Sequence, residues 1–236
     1  MRLGIMQPYF FPYLGYFALI KHTDQFILFD TPQFIRHGWI ERNRITKQNG
    51  EPLYIKVPLM KHQRDTKIQD LVINNKEKWK DKILAQLAPY RKKAPNYWKI
   101  LKLLKEMFEY DTESIVALNH VTLKAICDYL SIATPIKVWS EMEVDIEEPN
   151  APDEWALNIC KALGADAYYN PIGGSSFFDR DKYEQAGIEL KFVETEPIAY
   201  QHLSDEFVPF LSIIDVLMFC DIGETNRMID SYKLTR

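Results

Sequence analysis

Arg42 and Arg44 stand two apart in the stretch RHGWIERNR, residues 36–44. In an extended segment, residues two apart project from the same face. Two guanidinium forks so placed can grip a diphosphate or a carboxylate bidentately. Asn43 between them points to the opposite face. The competing reading is a solvated strand edge with Glu41 as an internal partner. His37 lies just upstream; an imidazole titrates near neutrality and suits an acid or a base, although a lone histidine is also an ordinary surface residue. A second group is MQPYFFPYLGYF, residues 6–17. Pro8 and Pro12 restrict the backbone to one shape. Gln7 offers a donor and an acceptor. Tyr9, Tyr13 and Tyr16 offer flat faces and hydroxyls suited to a base or a sugar, and Tyr16 is, with His37, a candidate for catalysis. Gly15 permits close approach to the free N–H groups of a helix start. Phe10, Phe11 and Phe17 read as core.

A third group is NPIGGSS, residues 170–176, followed by Asp179. Gly174 and Ser175 lie in a loop that can hold an anion through backbone N–H groups. The same loop also reads as a plain strand-to-helix connection capped by Asp179. Ser212 reads as a helix N-cap. Asp215 is either a first-turn acid or the partner of an arginine such as Arg42.

These groups need elements to bring them together. Residues 2–6 predict a strand, 15–22 a helix and 25–29 a second strand, which is a βαβ unit. Residues 53–58 and 68–73 predict strands. Helical spacing of apolar residues predicts helices over 76–88, 96–108 and 114–130. The α/β rhythm returns with strands at 136–139, 166–170 and 188–193 and helices at 153–163, 179–186 and 212–220. The expected fold is α/β: one domain over residues 1–236, a parallel Rossmann-like sheet of about five strands, and an inserted, mainly helical lobe over about 40–130. In such sheets ligands bind beyond the carboxyl ends of the strands, where strand order reverses. Residues 7–16, the segment from Ser140 onward, and residues 171–179 are expected to meet there.

Composition narrows the function classes. Among 236 residues 47% are hydrophobic, enough for a sizeable core, and the formal net charge of -4 gives no signal for nucleic acid. Cys127, Cys160 and Cys220 are far apart, a pattern of a reducing compartment. No signal peptide or membrane-length apolar run is visible, so a cytoplasmic protein is expected. The five histidines do not combine with the cysteines at metal-ligand spacing, and no metal site is expected. No G-x-S-x-G elbow, Walker or G-x-G-x-x-G motif is present.

The strings MQPYFFPYLGYF, QFIRHGWIERNRI (residues 33–45) and LSIIDVLMF (residues 211–219) resemble, in that order over nearly the whole chain, the WbqC-like family. Its members are encoded in clusters for O-antigen and other surface polysaccharides, and a glycine transferase role has been proposed for one. The resemblance implies lipopolysaccharide biosynthesis and a transferase moving an aminoacyl group, such as glycyl, or an acyl group onto an amino sugar. The expected partner is a small molecule, above all a nucleotide-linked sugar. The alternative is a non-catalytic nucleotide or nucleotide-sugar binding module. At the level of fold, the start of the chain is also similar to the nucleotidylyltransferase and pantothenate synthetase superfamily, where an H-x-G-H motif opens a helix. Tyr13-Leu14-Gly15-Tyr16 stands at that place. Tyrosine carries no charge near neutral pH, so the similarity implies nucleotide-binding architecture, with ATP or another nucleotide as a candidate cofactor, without the histidines' phosphate chemistry.

Overall fold

A computed structural model describes residues 1–235. The chain begins with a strand at Arg2–Met6 (β1), a helix at Leu14–Lys21 (α1) and a strand at Gln25–Leu28 (β2). A hairpin of Arg42–Thr46 (β3) and Pro52–Lys56 (β4) follows, then helices at Trp79–Gln86 (α2), Tyr97–Phe108 (α3) and Ile115–Tyr129 (α4). The α/β alternation resumes with Ile136–Val138 (β5), Glu154–Leu163 (α5), Ala167–Pro171 (β6), Arg180–Gln185 (α6) and Glu189–Thr195 (β7). Ile213–Phe219 (α7), Ile222–Asp230 (α8) and Tyr232–Thr235 (β8) complete it.

The main sheet has six strands in the order β5-β2-β1-β6-β7-β8. The first five are parallel and β8 joins the edge antiparallel to β7. Strand alternation sorts side chains to the two faces. Phe26, Leu28, Tyr169 and Val193 enter the larger apolar cluster, while Leu3, Ile5, Ile27 and Phe192 enter the smaller one. Helix α1 packs on β6 and β7 from one side; α5 and α6 cover the same two strands. The result is a Rossmann-like sheet between helical layers.

Between Ile40 and Leu130 the chain forms the β3–β4 hairpin and α2 to α4, and Ile45, Ile55, Trp79, Leu104 and Leu123 join the cluster that holds α1 and α7. Local signals end several of these helices. The Ser114 hydroxyl accepts from Ala117 N at 3.2 Å and starts α4. Gly164, at φ 66°, stops α5 in the left-handed conformation that glycine adopts without penalty. One expectation fails: residues 68–73 are no strand. Ile68–Asp70 is a single 3-10 turn, and only isolated bridges, Leu59 to Ile73 and Val72 to Ser114, follow it. Ile68 and Leu71, three apart as a 3-10 turn requires, are buried together with Ile73, and the run Leu71-Val72-Ile73 gives the sequence its strand-like look.

Candidate functional site

From β1 the chain builds outward to β2 and β5, then crosses back to lay β6 on the other side of β1. Strand order therefore reverses between β1 and β6. A cleft of about 690 Å³ opens at that point, beyond the carboxyl ends of β1, β6 and β7. Tyr9, Tyr13, Trp39, Asn43 and Arg44 line one side, Asn170–Gly174 another, and Val193–Pro197 the end. Phe210 sits at the mouth, half exposed, its ring edge-on to Tyr13 at 6.0 Å.

The loop of residues 7–13 is held by donors from distant parts of the chain. Asn43 Nδ2 donates to the carbonyls of Phe10 (3.0 Å) and Phe11 (2.9 Å), and its Oδ1 accepts from Arg44 N (2.8 Å). Asn119 Nδ2 donates to Pro8 O at 2.8 Å. Ser212 Oγ donates to Phe11 O at 2.8 Å, and Ile213 N donates to Pro12 O at 2.8 Å. This network fixes Phe11 at φ 41°, a left-handed conformation that is costly for a phenylalanine. Gly15 is required here by crowding: a Cβ would lie 2.4 Å from the Tyr13 ring and 2.7 Å from Thr195 Oγ1.

The two arginines of β3 part company. Arg44 reaches the cleft, its guanidinium 5.4 Å from the Trp39 ring centre. Its Nε is buried without a hydrogen-bond partner, and no carboxylate among the described residues forms an ion pair with it. Arg42 turns back onto its own segment. It donates to Gly38 O (3.2 Å) and His37 O (2.5 Å) and lies over Tyr54 at 4.7 Å. The expected pair of forks is thus one cleft cation and one brace for the 37–38 turn. His37 is exposed on that turn at φ 66° and does not line the cleft.

Several other expected site residues lie elsewhere. Tyr16 is fully buried and donates to Gln7 O at 2.7 Å; burial pushes its phenol well up, so it serves the core rather than a substrate. Gln7 thereby contributes its backbone, and its side chain does not line the cleft. Asp215 is fully buried and pairs with no arginine among the described residues. It accepts from Tyr90 and Tyr200 hydroxyls, the latter at 2.9 Å, and from Thr46 N at 3.4 Å. Desolvation raises its carboxyl above the ordinary value against the pull of these bonds. Ser175 spends its N–H on Ile172 O at 3.0 Å and is not in the lining, whereas Gly174 is. Gly15 borders a smaller pocket next door. Ser140 bonds Asp30 through N (3.0 Å) and Oγ (2.5 Å), away from the cleft. Asn43 is in the floor with its amide committed as described.

The chemistry facing the cleft is therefore compact. Arg44 supplies positive charge and Trp39 a flat face. Tyr9 and Tyr13 are partly buried, and desolvation raises both phenols, which keeps them protonated and able to donate. Glu194 and Glu196 supply negative charge. These two glutamates carried no motif, and only the position of β7 beside the switch point singles them out. Burial pushes the thiols of Cys127, Cys160 and Cys220 up to about 12, and none lines the cleft. Among the described residues no group of His, Cys, Asp and Glu could hold a metal ion. No helix among them is long and apolar enough to cross a membrane.

Fold and cleft together define an α/β protein with a mixed-charge cleft at the switch point of a mostly parallel sheet. The chain belongs to the WbqC-like protein family, whose sequence profile matches residues 7–227. It is 28% identical over 220 residues to a Mycobacterium tuberculosis protein described as "Uncharacterized protein Rv1507c", covering 92% of each chain. No solved structure matches it significantly.

Proposed function

We propose that this chain is a transferase of bacterial surface polysaccharide (O-antigen) biosynthesis, acting in the cytoplasm. It moves an aminoacyl group, such as glycyl, or an acyl group onto an amino sugar carried on a nucleotide. The single observation supporting a nucleotide-linked substrate is Arg44, a partly buried cation with no ion-pair partner among the described residues, held over Trp39 in a cleft of about 690 Å³. A phosphate oxygen would complete the buried Nε, and the volume falls in the range of small-ligand sites. Tyr9 and Tyr13 would donate to sugar or ribose hydroxyls. The amine acceptor is itself the nucleophile, so the reaction needs positioning and an activated donor more than a protein nucleophile.

Incubating the protein with ATP, glycine and nucleotide-linked amino sugars tests this by mass spectrometry, and a new amide is the expected product. Calorimetry tests the anchor. Arg44→Ala should weaken nucleotide-sugar binding by about tenfold or more, and Arg42→Ala should leave affinity within about twofold. Equal losses in both variants would remove Arg44 from its role.

A second reading, a non-catalytic nucleotide-sugar binding module, is favoured by one observation: the lining contains no Cys, His, Lys or Ser. Tight binding with no product from any donor would select it.

A further inference from the structure

Besides Arg44, the cleft holds a second charge that makes no ion-pair contact among the described residues. Glu194 lies near the end of β7, directly opposite Lys233 of β8 in the sheet register. Directly opposed residues of an antiparallel pair project to the same face. Lys233 nevertheless extends diagonally and makes its ion pair with Glu196. Glu194 is left half-buried in the cleft lining with no ion-pair contact among the described residues, and Lys233, near enough to feel its charge, spends its contact on Glu196. Arg44 comes from a different wall, the β3–β4 hairpin, and the two charges do not pair with each other.

A partly desolvated charge with no counter-charge in direct contact costs stability. Two such charges of opposite sign in one cleft, held apart by the scaffold, fit a ligand that brings the complement of each. We propose that the cleft recognises a substrate with an anionic group at Arg44 and an amine at Glu194, so that Glu194 selects amino sugars over their hydroxyl counterparts. The inference rests on the nucleotide-sugar reading above and assigns the amine end of that substrate. Glu194 is the better of the two glutamates for this task. Glu196 is exposed and neutralised by Lys233, whose proximity holds its carboxyl below the ordinary value. An ammonium placed at Glu194 gains a charge-assisted hydrogen bond, whereas a neutral hydroxyl there gains a weaker one. Passing one ammonium proton to the Glu194 carboxylate frees the amine lone pair to attack the donor's acyl carbon, and the neutral amide product would be held less tightly, which favours its departure.

Calorimetry with UDP-glucosamine and UDP-glucose, and with a dTDP-linked 4-amino-4-deoxy sugar and its 4-hydroxy counterpart, separates the possibilities at two amine positions. In the wild type, one amino compound should bind about tenfold more tightly than its hydroxyl partner. Glu194→Gln should bring that ratio close to one, and Glu196→Gln should leave it unchanged. Arg44→Ala should weaken both members of the pair alike and preserve the ratio. Wild-type binding of nucleotide sugars without amine preference, or a preference that survives Glu194→Gln, overturns the role of Glu194 and leaves the nucleotide-sugar reading standing. Failure of all four compounds to bind overturns that reading and this inference with it. A thermal melt of Glu194→Gln matching the wild type excludes unfolding as the cause of a lost ratio.

Discussion

Residues 7–16 and residues 170–176 face each other across the cleft, and both join prolines and glycine to aromatic or hydroxyl side chains. The first wall is rigid from beneath. The carbonyls of Gln7, Pro8, Phe10, Phe11 and Pro12 each accept from a residue of another segment or of α1. The second wall runs over the surface, with Ile172, Gly173 and Ser176 exposed and short-range turn bonds inside it. A motif rich in chemistry-bearing residues can thus be mostly scaffold. The first wall spends Gln7 and Tyr16 on its own shape, borrows Asn43 and Ser212 to brace it, and faces the cleft with Tyr9 and Tyr13 beside Trp39 and Arg44.

The sharpest way to break this contrast is to remove what lies under the first wall. Asp215→Ala strips the Tyr200 hydroxyl of its acceptor and leaves the Tyr90 hydroxyl only Thr46 O at 3.2 Å, while Thr46 N keeps the Tyr90 oxygen at 3.1 Å, and should cost about 2 kcal/mol or more in urea unfolding. Ser175→Ala, under the second wall, should stay within about 0.5 kcal/mol. Asp215→Asn refines the point through pH. Burial raises the Asp215 carboxyl, so the native state holds that proton more tightly than the unfolded chain. Its contribution to stability is full below the ordinary carboxylate range and is lost as pH rises through the raised native value. The asparagine variant should flatten that slope in stability measured against pH.

A glycine exchanged for alanine on each wall gives the next effect. At Gly15 the new methyl meets the Tyr13 ring and Thr195 Oγ1, and a loss of about 1–3 kcal/mol is expected. At Gly173 nothing lies within 4 Å and the change should be close to neutral. Equal costs at the two positions would show that the walls are equally constrained. The smallest loss expected on the first wall is Tyr16→Phe, which removes one buried hydrogen bond to Gln7 O and should cost about 1 kcal/mol by chemical denaturation.

The sheet was largely legible in the sequence because parallel strands covered on both faces read as short apolar runs bounded by turns. QFIL at β2 and the alternating β7 are of this kind. The terminal α8 and β8 escaped notice, since α8 shows mostly polar residues and YKLT is a brief edge strand. Residues 68–73 misled because the apolar, partly β-branched run Leu71-Val72-Ile73 reads as a strand, whereas Ile68 and Leu71, three apart, belong to a 3-10 turn packed on the lobe. The site was legible less evenly. Period-two alternation places Arg42 and Arg44 on one face but says nothing of the 37–38 carbonyls that capture Arg42. Three tyrosines spaced by three and four residues look equivalent in sequence; only the helix start at Leu14 decides that Tyr16 turns inward. Glu194 had no motif, and its meaning depends on Lys233 choosing another partner.

Ser212 ties together parts of the chain that are made at very different times. Its Oγ meets the carbonyl of Phe11, its N–H meets the carbonyl of Arg44 at 2.8 Å, and the same Oγ accepts from Ile214 N at 3.3 Å. Contacts across such long stretches of sequence form late, because the closure entropy must be met before they reward it. A nascent chain still short of residue 212 can lay down β1, α1 and β2 and has the Asn43 donor to Phe11 O, yet it lacks the Ser212 and Ile213 donors that complete the hold on Phe11 and Pro12. The shape of the cleft wall therefore waits for α7, so a copy that stops before residue 212 would carry the first strands with that wall only partly braced.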